Sequence, residues 1–339
     1  MPKPLVVHLE PVRYSHHLWI ELEEIAEIEL VGDYSREEFI KDLHGKYANV
    51  VAIGRGYLTG QKVGMFDEEL ISHFPSSLKY IAHQGTGYDQ IDVDELNKRG
   101  IQLSNCPDIV TKSTADMNIF LMLGAMRNFE AGRRNLIAGK WPAGGLGAGV
   151  EAGWAPSRKV LGIIGMGNIG RAVRDRAVSF GFEKIVYYSR SKLTPELEKD
   201  CEYVASLEEL VAASDVLSIN CPLNKSTYHL INDSLISKMK DGVIIVNTAR
   251  GAVIDEQDMI KHLKTGKIGA AGLDVFENEP VPRKDLLDLP NVMALPHMGT
   301  HTVQAFSDFE NWTIENIRSG LSTGKVRTIV QEQQNTTFN

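Results

Sequence analysis

The stretch VLGIIGMGNIGRAVRDRAVSFGFEKIVYYSRS, residues 160–191, has the order of a buried strand, a glycine turn, an amphipathic helix and a second strand. The apolar run Val160 to Ile164 is typical of a strand that a parallel sheet covers on both faces. The turn Gly165-Met166-Gly167-Asn168-Ile169-Gly170 follows at once and matches the dinucleotide-binding pattern. Its glycines permit the tight turn, the approach of a pyrophosphate and close packing of helix on strand. We therefore predict that these six residues bind a dinucleotide at the helix N-terminus.

The second strand of this stretch, Ile185 to Tyr188, ends where NAD-binding folds usually carry an acid for the adenosine ribose. Here the tip reads Ser189-Arg190-Ser191-Lys192, which contains a cation and no acid. This pattern predicts that Ser189, Arg190 and Ser191 bind a ribose 2′-phosphate, so NADP(H) is favoured over NAD(H). The alternative, in which these are solvated polar residues after a strand, stays open.

Composition limits the class of protein. The 339 residues suffice for two domains, and 43% hydrophobic with 24% charged residues is typical of a soluble globular protein. A net charge of -8 and the absence of a basic stripe argue against nucleic acid as a partner. Three cysteines without CxxC spacing favour a reducing compartment.

The N-terminal region lacks the apolar segment of a signal peptide. The longest apolar run, Ile119 to Met126, is too short for a bilayer. We therefore expect a cytoplasmic protein without a membrane partner.

Strands alternate with helices along most of the chain, which predicts an α/β fold with open parallel sheets and ligands beyond the strand C-termini. The strand Leu78 to His83 runs into Gly85-Thr86-Gly87, a turn that can offer backbone N–H groups to an anion or can simply be a turn. A long apolar helix is predicted from Thr111 to Arg127, with Ser113 or Thr114 as its cap. We expect a substrate domain at residues 1–108 plus 300–339 and a dinucleotide-binding Rossmann domain at residues 109–299.

Three strand ends of the second domain carry candidate chemical groups. Arg250 follows the buried strand Val243 to Val246, where its planar fork suits a substrate carboxylate, although a salt bridge between domains is the alternative. The segment 273–280 supplies carboxylates and the segment 295–301 supplies His297. A histidine held against a carboxylate is stabilised in its protonated form and can donate a proton near neutral pH.

His297 and His301 lie four residues apart, a spacing that binds zinc on a helix. No Glu or Cys follows nearby as a third ligand, and Pro296 and Gly299 disfavour a regular helix across the pair. We therefore predict no metal site.

Together, the segments 165–170, 247–251, 272–280 and 296–299 resemble the motifs of the D-isomer-specific 2-hydroxyacid dehydrogenases, and the likeness extends over nearly the whole chain. Within that family the segments 87–93, 123–129 and 295–301 are most similar to yeast glyoxylate reductases, also called hydroxyisocaproate dehydrogenases. The segment 306–310 is similar to fungal D-mandelate dehydrogenases. The resemblance implies two Rossmann-like or flavodoxin-like domains with the active site in the cleft between them. It also implies a homodimer, in which Trp141 reaches the partner's active site.

The resemblance also implies roles for individual residues. Arg250 would bind the substrate carboxylate and polarise the carbonyl, Glu279 would support the histidine, and His297 would exchange the proton. Thr86 and Gly87 would offer backbone donors to the same carboxylate. Further family positions that line the coenzyme are matched by Thr114, Asn220, Cys221, Pro222, Thr248, Ala249, Arg250, Asp274, His297 and Gly299.

We predict an oxidoreductase that reduces a small 2-oxoacid by hydride transfer from NAD(P)H, with glyoxylate favoured and hydroxypyruvate as a second substrate. One alternative is a dehydrogenase for bulkier acids such as 2-ketoisocaproate or mandelate. Another is a corepressor that senses dinucleotides, since corepressors exist on this fold. The sequence contains no peptide-docking extension or basic nuclear cluster that would favour the corepressor.

Overall fold

The computed structural model of the chain describes residues 2–141 and 149–338. Met1–Ile109 with Thr302–Asn339 form one compact unit, and Val110–His301 form a second. Each unit contains one sheet of parallel strands, which confirms the predicted α/β class. The cleft between domains, to which the resemblance assigns the active site, stays a prediction. Among the described residues, no helix combines the length and the apolar character needed to cross a membrane.

The sheet of the first unit has the flavodoxin-like order β2-β1-β3-β4-β5. Its strands are β1 Leu5–His8, β2 Glu27–Leu30, β3 Val50–Gly56, β4 Tyr80–Gln84 and β5 Gln102–Ser104. The helices between them are α1 His16–Leu22, α2 Arg36–Leu43, α3 Tyr57–Lys62, α4 Glu68–Ser72 and α5 Val93–Lys98. The arrangement brings the ends of β3 and β4 side by side, because Arg55 and His83 are register partners.

The sheet of the second unit has the order β12-β11-β10-β9-β6-β7-β8, which contains the Rossmann order about its first strand β6. The strands are β6 Val160–Ile164, β7 Lys184–Tyr188, β8 Glu202–Tyr203, β9 Val216–Ile219, β10 Val243–Asn247, β11 Ile268–Leu273 and β12 Val292–Ala294. Every residue of β9 and β10 is buried, as expected for strands covered on both faces.

The helices of the second unit are α6 Thr111–Met126, α7 Phe129–Ile137, α8 Asn168–Ala177, α9 Pro195–Glu198, α10 Leu207–Ala213, α11 Asp233–Ser237, α12 Glu256–Thr265 and α13 Lys284–Leu287. The last helix, α14 Val303–Thr323, belongs to the first unit. Short 3₁₀ turns lie at 178–180, 251–253 and 331–333. The predicted side-chain cap of α6 is wrong. The helix begins directly after Val110, so Ser113 lies in its first turn and donates back to the Val110 carbonyl at 3.2 Å.

The register of the second sheet aligns the carboxyl ends of its central strands. Ile164 pairs with Ile219, Ile219 with Asn247, Asn247 with Leu273, and Leu273 with Ala294. The residues that follow these strand ends therefore emerge at one edge of the sheet. They are Gly165, Asn220, Thr248, Asp274 and Leu295.

Candidate functional site

The glycine turn after β6 has the geometry that the sequence predicts. Gly165 has φ 87°, and a Cβ on it would lie 2.8 Å from the Cys221 nitrogen. A Cβ on Gly170 would lie 2.1 Å from the Gly165 carbonyl oxygen, so this position needs glycine for the contact of helix with strand. A Cβ on Gly167 would meet no atom of the described residues within 4 Å. The backbone at Gly167 is therefore open to a ligand, as an approaching pyrophosphate requires.

Helix α8 begins at this turn, and no side chain in the described ranges caps its first backbone N–H groups. Its ten residues give it a positive N-terminal end that favours an anion. Arg171 binds the Asn168 side chain and donates to the Met166 carbonyl at 3.3 Å, which adds a cation to the turn. The segment 165–170 thus fits the diphosphate of a dinucleotide.

A buried polar network connects two of the predicted coenzyme residues. Asn220 donates to the Ser218 hydroxyl at 2.9 Å, Ser218 donates to Asn118 at 3.0 Å, and Asn118 donates to the Thr248 hydroxyl at 3.0 Å. The Oδ1 atom of Asn220 is buried and has no hydrogen-bond partner among the described residues. A coenzyme hydroxyl or amide would satisfy this acceptor.

The sequence analysis did not identify Asn118 and Ser218 as members of this polar network. Both are fully buried, on α6 and β9, and both interrupt apolar runs. A polar residue inside an otherwise apolar helix or strand is the signal that could have revealed them.

Cys221 and Pro222 follow Asn220 in the chain. Burial raises the pKa of the Cys221 thiol to about 11, so this thiol is unreactive.

The tip of β7 presents one cation without a protein partner in the described part of the chain. Ser189 donates to the Ser191 carbonyl at 2.6 Å, and Lys192 lies 3.4 Å from Glu198. Arg190 is exposed and makes no hydrogen bond or ion pair with any residue that the structure describes. Its guanidinium is therefore available to a ligand at the end of the strand.

His297 and Glu279 form the central pair of the site. His297 Nδ1 lies 2.7 Å from Glu279 Oε2, while Glu279 Oε1 accepts from the Phe276 backbone N–H at 2.9 Å. Because the carboxylate faces Nδ1, proton exchange with another molecule has to use Nε2. The histidine and the glutamate that the sequence predicts are thus brought together.

The charge on Glu279 is stabilised by its neighbours. Burial alone would raise the pKa of this carboxyl, but the hydrogen bond and charge of His297, the Phe276 N–H and the charge of Arg250 together lower the pKa. The carboxylate therefore stays ionised near neutral pH.

Asp274 holds the turn that carries His297. Its two carboxylate oxygens accept from the N–H groups of Met298 and Gly299, each at 2.6 Å, and its carbonyl accepts from the His297 N–H at 2.9 Å. These contacts fix a turn in which His297 has φ 54°, a conformation that few residues adopt. Burial raises the pKa of Asp274 to about 6, against the effect of the two N–H donors and His297, and the Glu279 charge adds to the rise.

Gly299 packs closely against two other predicted coenzyme residues. A Cβ there would lie 3.0 Å from Asp274 Oδ2 and 3.5 Å from the Thr114 methyl group. Thr114, Asp274 and Gly299 are therefore neighbours, and a larger residue at Gly299 would press on the carboxylate that holds the turn.

Arg250 follows β10 in a turn that is fixed by Asn247. The Asn247 side chain accepts from the Ala249 N–H and donates to the Arg250 carbonyl, both at 2.9 Å. One guanidinium nitrogen of Arg250 donates to the Ala249 carbonyl at 2.8 Å. The side chain is half-buried and can form the bidentate contact that a carboxylate requires.

Thr86 and Gly87 belong to the first unit, in the loop after β4. The Thr86 hydroxyl donates to the Cys106 carbonyl at 2.7 Å, and the Thr86 carbonyl accepts from the Asn105 side chain at 2.8 Å. The backbone N–H groups of Thr86 and Gly87 have no acceptor among the described residues. They are therefore available to an anion.

One cluster of potential metal ligands was missed by the sequence. His229 lies 3.3 Å from Asp255 and 2.8 Å from Glu277, and in the described chain this is the one group of three or more such residues close enough to hold an ion. The Nδ1 atom of His229 lies near Asp255 and its Nε2 atom near Glu277, but Nε2 has no partner with hydrogen-bond geometry among the described residues. The three residues are far apart in sequence and carry no ligand spacing.

Comparison with known proteins gives consistent results. Residues 119–299 match the family described as D-isomer specific 2-hydroxyacid dehydrogenase, NAD binding domain. The chain is 48% identical to glyoxylate reductase 1 of Saccharomyces cerevisiae, over 98% of this chain and 96% of the relative. It is 45% identical to 4-methyl-2-oxopentanoate reductase A of Aspergillus oryzae, over 99% of both. A crystal structure of a glyoxylate reductase from Paecilomyes thermophila superposes with a TM-score of 0.93 at 42% identity, covering 98% of this chain and all of that one.

Proposed function

Because the chain belongs to the D-isomer specific 2-hydroxyacid dehydrogenase family, we propose that it reduces a small 2-oxoacid with NADPH, with glyoxylate as the leading substrate and hydroxypyruvate as another. The observation that carries the proposal is the 2.7 Å contact of His297 with Glu279 at the sheet edge that also bears the dinucleotide turn. A supported imidazole and a dinucleotide site are the two parts that reduction of a carbonyl needs.

The chain's own residues act on the substrate's charge and proton. Arg250 binds the carboxylate and meets the negative charge that develops on the carbonyl oxygen, a preorganised electrostatic contribution. His297 Nε2 donates its proton to that oxygen, and Glu279 stabilises the ring before the transfer and orients it. Thr86 and Gly87 offer their N–H groups to the carboxylate. The nicotinamide coenzyme, when bound, supplies the hydride for C2.

The residues that would hold the coenzyme are those of the edge described above. The turn 165–170 binds the diphosphate, which the open backbone at Gly167 and the uncapped N-terminus of α8 support. Asn220 offers its orphaned Oδ1 atom. The remaining contacts come from Thr114, Cys221, Pro222, Thr248, Ala249, Arg250, Asp274, His297 and Gly299.

The preference for NADPH over NADH is carried by Arg190. This cation is exposed and has no partner among the described residues. Ser191 beside it adds a hydroxyl donor, whereas the Ser189 hydroxyl already donates to the Ser191 carbonyl. An acid at the tip would repel a 2′-phosphate, and none is present in the segment 189–192.

The enzyme works as a homodimer in the cytosol. Helices α6 and α7 and the turn after them expose large apolar side chains, which supports an interface: Phe120, Phe129, Leu136, Ile137 and Trp141. Trp141 then reaches the partner's active site. Free Cys106, Cys201 and Cys221 support a reducing compartment. Light scattering that returned the mass of a single chain would contradict the dimer.

A second candidate is reduction of a bulkier acid such as 4-methyl-2-oxopentanoate. It is favoured by the relative of 45% identity that carries that name. Both candidates use the same catalytic residues and differ only in the size of the side chain that the pocket accepts.

The test is oxidation of NADPH by the purified protein with glyoxylate, hydroxypyruvate, 4-methyl-2-oxopentanoate and benzoylformate. We expect the highest kcat/KM with glyoxylate, followed by hydroxypyruvate. A maximum at 4-methyl-2-oxopentanoate would replace the first candidate by the second. Absence of turnover with every acid, in protein that binds NADPH, would reject both.

A further inference from the structure

The first unit contains a buried polar cluster for which the proposed function gives no role. Arg55 at the end of β3 is fully buried, and His83 near the end of β4 is 5% exposed. Arg55 has no carboxylate within ion-pair distance in the described chain, and its Nε atom has no hydrogen-bond partner there. Burial lowers the pKa of Arg55 to about 10, opposed by the charges of Glu10 and Asp89, so the guanidinium remains a cation near neutral pH. A buried cation without an acid is unfavourable and calls for an explanation.

The partners of His83 assign its tautomer. Its Nε2 atom lies 2.8 Å from the Gly87 carbonyl oxygen, and its Nδ1 atom lies 3.4 Å from an Arg55 guanidinium nitrogen. A carbonyl can only accept and a guanidinium can only donate, so Nε2 carries the proton and Nδ1 has the lone pair.

Two glycines make room for this arrangement. A Cβ on Gly85 would lie 2.6 Å from His83 Nε2, so the imidazole lies directly across the Gly85 backbone. A Cβ on Gly60 would lie 2.2 Å from Gln90 Oε1 and 3.1 Å from Arg55 Nη2. Gln90 in turn accepts from Arg55 at 3.3 Å. The backbone at Gly60 in α3 and at Gly85 in the loop thus leaves room for the side chains of the cluster.

Three consecutive carbonyl groups of the loop are held by protein donors. The Gly85 carbonyl accepts from the Cys106 N–H at 2.9 Å, Thr86 from Asn105 at 2.8 Å, and Gly87 from His83 at 2.8 Å. In a planar trans peptide the next N–H points opposite to the carbonyl. The three contacts therefore orient the N–H groups of Thr86, Gly87 and Tyr88, none of which has an acceptor in the described chain.

We propose that His83, held in its Nε2–H tautomer by Arg55, is a positioning residue that orients the Gly87–Tyr88 peptide, so that the Tyr88 N–H becomes an additional donor to the substrate carboxylate. The inference rests on the proposed function, because it assigns the substrate's anionic group to this loop. It goes beyond the pair of donors at Thr86 and Gly87 by adding a third. The buried charge of Arg55 fixes the tautomer of His83 and favours an anion at the loop.

Three variants test the hydrogen bond that His83 donates to the Gly87 carbonyl, and each changes the neighbourhood of that bond in a different way. His83→Leu removes the donor, Gly85→Ala keeps the histidine but displaces its ring, and His83→Gln keeps an N–H donor at a similar distance from the backbone. Gly85 does not have a positive φ, so alanine fits its backbone. We expect the His83→Leu and Gly85→Ala variants to show KM for glyoxylate and Ki for oxalate raised about tenfold or more, with kcat changed less. His83→Gln should stay within about threefold of the parent. The control His73→Leu changes a half-exposed histidine of the same unit and should alter neither constant.

A second measurement follows the Tyr88 amide group itself by NMR. In protein labelled with ¹⁵N-tyrosine, the Tyr88 amide proton should move downfield when oxalate is added to the NADPH complex, and the shift should be lost in His83→Leu. The NADPH dissociation constant should be the same in every variant. If the parent reduces 2-oxoacids but His83→Leu and His83→Gln have equal kinetics, or if the Tyr88 resonance does not respond, His83 is not a positioning residue. If the parent binds NADPH but reduces no 2-oxoacid, the proposed function fails instead.

Discussion

Backbone and side-chain groups have opposite roles in the loop Gly85–Tyr88 and at the edge of the second sheet. In the loop, the backbone N–H groups are the available donors, and side chains such as His83 and Asn105 only hold the carbonyls. At the edge, the proposed reacting groups are side chains, and backbone N–H groups hold the side chains around them: Met298 and Gly299 fix Asp274, and Phe276 fixes Glu279. A substitution in the loop should therefore act through orientation, whereas one at the edge should remove a group that we propose takes part in the reaction. Within the edge, the loss of activity should follow the part that each side chain is proposed to take in the reaction.

The largest loss is expected for His297→Ala, because the ring is fixed by Glu279 on one side and by the turn that Asp274 holds on the other. Loss of a positioned general acid lowers kcat by about 10²–10⁴-fold. Steady-state reduction of glyoxylate measures it, with NADPH binding as the check on folding and the exposed His16→Ala as the control. A kcat within tenfold of the parent would show that another group donates the proton.

A smaller loss is expected for Arg250→Lys, in which the charge remains but the planar fork is lost. A charge-assisted hydrogen bond contributes about 1.5–3 kcal/mol, so kcat/KM for glyoxylate should fall about 10–100-fold. The NADPH dissociation constant should change much less. Unchanged glyoxylate kinetics would place the carboxylate elsewhere and would leave the loop as its main binding site.

Glu279→Gln should change the pH dependence more than the maximal rate. The lowered pKa of Glu279 keeps the carboxylate ionised, so a negative charge lies beside the imidazole near neutral pH. The glutamine variant lacks that charge, and the alkaline limb of the kcat/KM profile for reduction should therefore move to lower pH. Measurement of kcat/KM between pH 5 and 10 for both proteins tests this prediction. An alkaline limb at the same pH in both proteins would exclude the electrostatic role.

The smallest effect on catalysis is expected at Arg190, which makes no hydrogen bond or ion pair with any described residue. One or two contacts with a 2′-phosphate predict at least a tenfold preference for NADPH in kcat/KM. The double variant Ser189→Asp with Arg190→Ala restores an acceptor and removes the cation, so the preference should narrow or reverse. The comparison is kcat/KM for each coenzyme at saturating glyoxylate. Equal use of NADH and NADPH by the unchanged protein would mean that Arg190 does not contact the coenzyme.

The sequence predicts best those features that are local in the chain. The turn 165–170 and the strands on either side of it carry a pattern within a dozen residues, and the structure has that order. The positions of Arg250, Glu279 and His297 at strand ends follow from the alternation of strands and helices. The pairing of Glu279 with His297 was predicted through the family resemblance, and the 2.7 Å contact agrees with that pairing. Their catalytic roles stay predictions.

Features that depend on residues distant in the chain could not be predicted. The link from Asn220 through Ser218 and Asn118 to Thr248 spans helix and sheet, and none of its members signals the others in sequence. The same holds for His83 with Arg55, whose pairing depends on the register of β3 with β4. Asp274 was predicted to contact the coenzyme, but its function as the clamp of the turn after β12 needed three-dimensional information.

The clamp at Asp274 also makes the free energy of unfolding depend on pH. The carboxyl has a pKa of about 6 in the folded chain, above its ordinary value, because burial disfavours its charge. The folded state therefore retains this proton more tightly than the unfolded state, and the stability that the neutral acid contributes is lost as pH rises through about 6. The turn that orders His297 therefore also ties the heat resistance of the protein to pH. Asp274→Asn should remove this pH dependence, but an amide NH₂ cannot accept from the second backbone N–H group, so the turn itself should be weakened.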